Sequence, residues 1–379
     1  MEKMTSRERV NCSLNHKEPD MIPIDFGGLH TSLHDYAHKN LMKHYKLDGP
    51  DAVMQEALQQ IVYPDKRILE KFQVDVTGVY PKASSSWEFK IDPVKDEWTD
   101  EWGNVYIKPK GGFFYDIKEH VMKNYTLDDL KAYEMPDPCD KARVKNLRNE
   151  IMNIQSKTDK AVIIFNASWG LWESLWLMRG FEGAYIDIAA NKDFVNYFWD
   201  KLLDWQKGFW NTTLNEVGDL IDVLQIGDDL GTQRGPVFNP DTYTAMLKPR
   251  HKELLRYIKE RTDAKVYIHS CGDVSWVIAD FIECGIDILN PVQVGASNMD
   301  SKVIKKKFGD NITFWGGGCD TSILSLGTPE EVKEEVKRRI NDFAPGGGFI
   351  FASIHNIQAN VPPENIAAMY ETAVENRKY

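Results

Sequence analysis

His269, Ser270 and Cys271 follow an apolar run, Val266-Tyr267-Ile268, and lead into a turn at Gly272. Side chains two apart on an extended chain point the same way, so the imidazole of His269 and the thiol of Cys271 converge. A second thiol, Cys319, comes after Ile312-Thr313-Phe314-Trp315 and the glycines Gly316, Gly317 and Gly318. A second imidazole, His355, follows Phe349-Ile350-Phe351-Ala352. Mixed imidazole and thiolate donors suit zinc, and three protein ligands leave a fourth position free for chemistry. The expected ligand pool is therefore His269, Cys271, Cys319 and His355. The first three are the favoured set, with His355 a ligand or a proton-handling neighbour. Cys12 (in an amphipathic helical stretch), Cys139 (beside Pro138) and Cys284 (at a helical end) read instead as small hydrophobes.

Acids gather near the same point. Asp228 and Asp229 close the run Ile221-Asp222-Val223-Leu224-Gln225-Ile226. Aspartates favour turns and helix caps, which is the plain reading of the pair. At a strand end they gain two further roles. One could fix the tautomer of His269, and the other could hold a substrate hydroxyl or act as a general acid. Trp169, Trp172 and Trp176 recur at helical spacing, the pattern of a packed core face, with an apolar substrate wall as the second reading. Arg179 and Arg234 are candidates for a carboxylate clamp. No phosphate loop, dinucleotide fingerprint or Ser-His-Asp set stands out, and Gly346-Gly347-Gly348 precedes a strand as a turn.

These residues need a scaffold that delivers strand ends to one place. Eight short β-branched runs supply it, at 22–26, 75–79, 161–165, 221–226, 266–268, 286–289, 312–315 and 349–352. Helical patterns separate most of them, such as 240–262 and 329–343, the latter opening on Thr328-Pro329-Glu330-Glu331. Strands alternating with helices imply a parallel sheet, and eight of them imply an α/β fold of the (β/α)8 TIM-barrel type. Two stretches break the alternation. Trp87 to His120 reads as inserted β-hairpins, and 170–216 as extra helices rich in tryptophan. Residues 1–379 are expected to form a single domain.

Bulk properties narrow the function classes. The chain has 379 residues, 42% hydrophobic and 27% charged, as in a globular protein with an ample core. A formal net charge of -11 argues against nucleic acid or an anionic membrane as partner. No apolar run is long enough to span a bilayer, and none follows the N-terminus as a signal peptide would require. Five cysteines without paired short spacing make no disulfide framework. A cytoplasmic enzyme is the expectation.

Three stretches carry a family likeness. They are Asp228-Asp229-Leu230-Gly231-Thr232-Gln233, the His269-Ser270-Cys271-Gly272 turn, and His355-Asn356-Ile357-Gln358 ahead of Val361-Pro362-Pro363-Glu364-Asn365-Ile366. With the opening Arg7-Glu8-Arg9-Val10 to Glu18-Pro19-Asp20-Met21-Ile22-Pro23, the chain resembles the uroporphyrinogen decarboxylase superfamily. The resemblance implies a (β/α) barrel and two branches, decarboxylases and zinc-dependent, corrinoid-linked methyltransferases. The decarboxylases hold a polycarboxylate with arginines just after the first strand, where this chain has Gly27-Gly28-Leu29-His30-Thr31. Coenzyme M methylases of the other branch use a His-x-Cys pair plus a cysteine near the position of His355. The likeness favours the corrinoid-dependent O-demethylases of vanillate type. It implies zinc, a cobalamin-type corrinoid carried by a separate partner protein, and a small methoxylated aromatic substrate. Asp229 and His355 are then the expected proton donors, with Asp228 beside them. The alternatives are methyl transfer from a methylcorrinoid to a thiol, and a uroporphyrinogen-decarboxylase-type lyase. A homodimer is one assembly open to the chain.

Overall fold

The computed structural model describes residues 3–379. Its centre is a curled sheet of seven parallel strands: β1 (Val76–Val79), β2 (Ala161–Ile164), β3 (Val223–Gly227), β4 (Lys265–His269), β5 (Ile288–Asn290), β6 (Thr313–Trp315) and β7 (Phe349–Ile350). Their order in the sheet is their order in the chain. Each strand is buried on both faces, as parallel sheets covered by helices require. One face of alternate residues, including Ala161, Ile163, Val223, Tyr267, Ile288, Trp315 and Ile350, fills the interior of the curl. Val10 and Leu14 of the helix Ser6–Leu14 complete that cluster. The opposite face packs outward against the helices.

The first expected strand, 22–26, forms only a single parallel bridge, Ile24 to Phe351. Asp25 N donates to Phe351 O at 2.8 Å, and Asp75 N donates to Ile24 O at 2.8 Å. The segment thus bonds to chain at both edges of the seven-stranded sheet. Pro23 has no N–H to give, which shortens the ladder there.

Between β1 and β2 lies a three-stranded antiparallel sheet of Glu97–Thr99, Val105–Ile107 and Asp116–Glu119. A second small antiparallel sheet, Leu33–His34, Ile61–Val62 and Met54–Glu56, had no clear sequence signal because its strands are two or three residues long. The expected helix 240–262 is interrupted: Pro240–Thr242 is followed by a π-helical stretch, Tyr243–Leu247, and then by Lys248–Lys259. Pro249 cannot donate a backbone hydrogen bond, and the turn before it widens. Among the described residues no helix is long and apolar enough to cross a membrane.

Candidate metal centre

Strand register brings the chemistry together. His269, the last residue of β4, pairs with Gly227 on β3 and Asn290 on β5. The segments leaving all three strands therefore start at one level. Asp228 N donates to His269 O at 2.9 Å, and Ser270 N donates to Asn290 O at 2.8 Å. The turn after Cys271 needs glycine. Gly272 has φ +83°, and a Cβ there would lie 2.5–2.6 Å from the backbone of Gly231 and Thr232.

The His269 ring is held from behind. Its Nδ1 lies 2.5 Å from Asn290 Oδ1, while Asn290 Nδ2 donates to Trp315 O at 2.8 Å. That second bond fixes the amide so that its oxygen faces the imidazole, which places the ring proton on Nδ1. The Nε2 lone pair is left facing Cys271 Sγ, 3.3 Å away. His355 is arranged in the same way, with Nδ1 2.9 Å from Asn356 Oδ1. One nitrogen from each of His269 and His355 and the sulfur of Cys271 all lie within 4.8 Å of one another. Burial draws the His269 imidazole down to about 4, so the ring is neutral at pH 7. Burial also pushes the Cys271 thiol well above its usual range, and the carboxylates of Asp229 and Glu173 push it further.

Two imidazoles, each with Nδ1 turned to an asparagine oxygen, beside one thiol able to lose its proton to an ion, are the donor chemistry zinc takes. The residues fit such an ion, with fewer protein donors than a closed four-ligand site.

Cys319 is not in this group. The sequence placed it at the same mouth, but Gly316 (φ +121°) and Gly317 (φ +65°) turn the chain after β6. Its side chain ends fully buried in the outer apolar layer, with Sγ 3.6 Å from Asp320 O. Burial there, reinforced by Glu335, holds the thiol protonated. Of the expected pool the structure brings together His269, Cys271 and His355 and places Cys319 apart from them.

The two aspartates part company. Asp228 is completely buried; its Oδ1 accepts from Trp172 N at 3.0 Å and Glu173 N at 3.1 Å. These are N–H groups of the first turn of helix Leu171–Arg179. His251 Nε2 lies 3.3 Å from Oδ2. Asp228 thus anchors a helix, the plain reading of the pair. Asp229 reaches the site: its Oδ1 accepts from Cys271 N at 2.8 Å.

Two site residues had no role in the sequence reading. Glu173 is buried, and burial beside Asp229 and Asp228 raises its carboxyl well above the usual range. His30 lies flat on His269, with ring centroids 3.8 Å apart and planes at 15°. Its Nε2 is buried without a partner. His30 lies within the 27–32 loop that follows the 22–26 segment, so the strand-end rule that found His269 points to its neighbourhood too. Glu173 carries no comparable signal, since a first-turn acid usually serves the helix dipole. Of the three tryptophans, Trp172 is core, Trp176 is half-buried and Trp169 is 36% exposed. Arg179 pairs with Asp187 at 2.6 Å and donates to the carbonyls of Met122 and Tyr125, which makes it structural. Arg234 is exposed.

Known proteins share this chain's pattern. A decarboxylase of Psychromonas ingrahamii, uroporphyrinogen decarboxylase, is 25% identical over 251 residues, covering 62% of this chain and 65% of that protein. The enzyme of the same name from Pseudoalteromonas translucida is 36% identical over 179 residues, covering 44% and 49%. The methylcobamide:CoM methyltransferase MtaA of Methanosarcina barkeri is 26% identical over 148 residues, covering 39% and 40%. The chain thus matches between two fifths and two thirds of the length of these relatives. Among solved structures, a methyltransferase from Methanosarcina mazei superposes with a TM-score of 0.63 at 16% identity, covering 98% of this chain and 99% of that one. That likeness is one of fold. The uroporphyrinogen decarboxylase (URO-D) family model matches residues 113–376, well over half of the chain and every residue of the His269, Cys271 and His355 cluster. The chain belongs to the uroporphyrinogen decarboxylase family.

Proposed function

We propose that this protein is a zinc-dependent methyltransferase that moves a methyl group from a methoxylated aromatic to the cobalt(I) of a separate corrinoid protein. The observation that carries the reading is the convergence of His269, Cys271 and His355 within 4.8 Å. In this reading His269, Cys271 and His355 hold the ion, and the chain closes as an eight-stranded barrel with 22–26 as the eighth strand. Bound there, zinc supplies a Lewis acid for an ether oxygen. In the overall reaction the O–CH3 bond breaks and the methyl carbon, without the bonding pair, joins the cobalt(I) electron pair. The aryl oxygen keeps the bonding electrons and takes a proton, leaving as a phenol.

The chain's own residues have four tasks. Asn290 and Asn356 hold the two imidazoles with their Nδ1 protons turned away from the site. Asp229 braces the Cys271 backbone and, in this reading, passes a proton to the departing oxygen. His30 and Glu173 bound the space and limit water there. No arginine occupies the 27–31 loop, which weighs against a polycarboxylate substrate and a lyase reaction.

The second reading, methyl transfer from a methylcorrinoid to a thiol, draws support from the sequence likeness to a methylcobamide:CoM methyltransferase. One experiment separates the readings. Zinc-loaded protein is mixed with a cobalt(I) corrinoid protein and a methoxyarene, and methyl-cobalt(III) is followed by its visible spectrum. Methylation of cobalt only when the methoxyarene is present supports the first reading. Loss of methyl-cobalt from a corrinoid protein methylated beforehand, on adding a thiol and with no reaction from methoxyarenes, supports the second.

A further inference from the structure

A cavity of about 340 Å³ adjoins the cluster, and His355 and Gln293 stand on its wall. Gln293 Oε1 accepts from Gly272 N at 2.8 Å, which ties this wall to the turn that carries Cys271. Its apolar wall includes Leu324, Ile354, Ile357 and Val361, and no lysine, arginine, aspartate or glutamate lines it. Its polar wall is built of amides whose bonds leave particular ends over. Gln293 and Gln59 use their oxygens, on Gly272 N and Asn356 Nδ2, and keep their NH2 groups. Gln358 uses its Nε2 on the Asn356 carbonyl and keeps its oxygen.

We propose that this cavity is the substrate pocket and that it takes an uncharged methoxylated ring bearing a hydroxyl, in preference to a carboxylated one. The proposal rests on the demethylase reading and names its substrate class. The volume lies at the small end of ligand pockets, roughly 300–1,000 Å³, and suits one substituted ring. A carboxylate entering it would lose hydration and meet no lysine or arginine to pair with, whereas a neutral hydroxyl finds both NH2 donors and a carbonyl acceptor. Binding there sets the ring against His355, at the edge of the cluster.

The test compares 2-methoxyphenol with 4-hydroxy-3-methoxybenzoate, which differ by one carboxylate. Each is titrated calorimetrically at pH 7 into the full chain, with and without zinc. The expected result is binding of 2-methoxyphenol at least about tenfold tighter, a gap of about 1.4 kcal/mol. Ser325→Trp, which fills the cavity from a partly exposed position, should abolish it at an unchanged circular dichroism spectrum. Gln358→Arg should reverse the order of the two ligands. Tighter binding of the benzoate by the unaltered protein, binding of neither ring, or full binding by folded Ser325→Trp overturns the proposal. Binding of 2-methoxyphenol without any methyl-cobalt formed supports the pocket and refutes the demethylase reading instead.

Discussion

Two neighbouring aspartates should give opposite phenotypes. Replacing Asp228 with alanine removes the acceptor for Trp172 N and Glu173 N and leaves His251 Nε2 without its carboxylate, all in a site with no solvent access. Each buried polar group left unpaired costs about 1–3 kcal/mol. Relief from burying the Asp228 charge offsets part of the total, so a net loss of about 3–5 kcal/mol is expected. Scaling the usual unfolding entropy to this chain length gives about 1.3 °C per kcal/mol, hence a fall in Tm of about 4–6 °C. Asp229→Asn keeps an oxygen for Cys271 N and should hold Tm within about 1 °C. Its zinc content should stay normal while ether cleavage falls about a hundredfold, as for a lost general acid. The loss should spare an activated methyl donor whose leaving group needs no proton. Differential scanning fluorimetry, metal analysis and turnover on both donors give the comparison. An Asp228→Ala protein as stable as the unaltered one would refute the anchoring role. Near-normal ether cleavage by Asp229→Asn would remove that residue from proton transfer.

Further expectations follow from the same geometry. Cys319→Ser should retain zinc, whereas Cys271→Ala and His355→Ala should each lose most of it in metal analysis of purified protein. Zinc binding at pH 7 should release about one proton, because the Cys271 thiol is held protonated while His269, drawn down to about 4, is already neutral. Calorimetry in buffers of different ionisation enthalpy reads that number, and none released would contradict thiolate ligation. Asp25, buried against Trp315 Nε1 and Thr31 Oγ1, has its carboxyl raised by burial to about 6. The fold therefore favours its protonated form, and stability should fall as pH rises from about 4 through 6, by up to about 3 kcal/mol. Asp25→Asn should remove that dependence in urea titrations at pH 4 and 7.5; parallel profiles would contradict it.

The strand pattern was legible because parallel strands buried on both faces read as short continuous apolar runs. Seven of the eight runs are strands, and the eighth, 22–26, keeps one bridge. His269 and Cys271 were legible for a related reason, since alternation fixes their shared direction while the chain is still extended. Cys319 was not, because consecutive glycines in left-handed conformations erase any direction carried over from the strand before them. Asp228 and Asp229 differ by one residue and so face opposite ways, which spacing cannot turn into roles without knowing that the Trp172 and Glu173 N–H groups lie beside one of them. His30 escaped notice because its partner, the His269 ring, is more than two hundred residues away in the chain. The amide cavity draws Gln59, Gln293 and Gln358 from three distant segments, and none of them has a chemical signature alone.

X-ray absorption at the zinc edge of the purified full chain tests the metal centre most directly. The expected spectrum has one sulfur at about 2.3 Å and two imidazole nitrogens at about 2.0–2.1 Å, with the remaining position taken by a light atom. Two sulfur scatterers, or protein that takes up no zinc, would contradict a centre built from His269, Cys271 and His355.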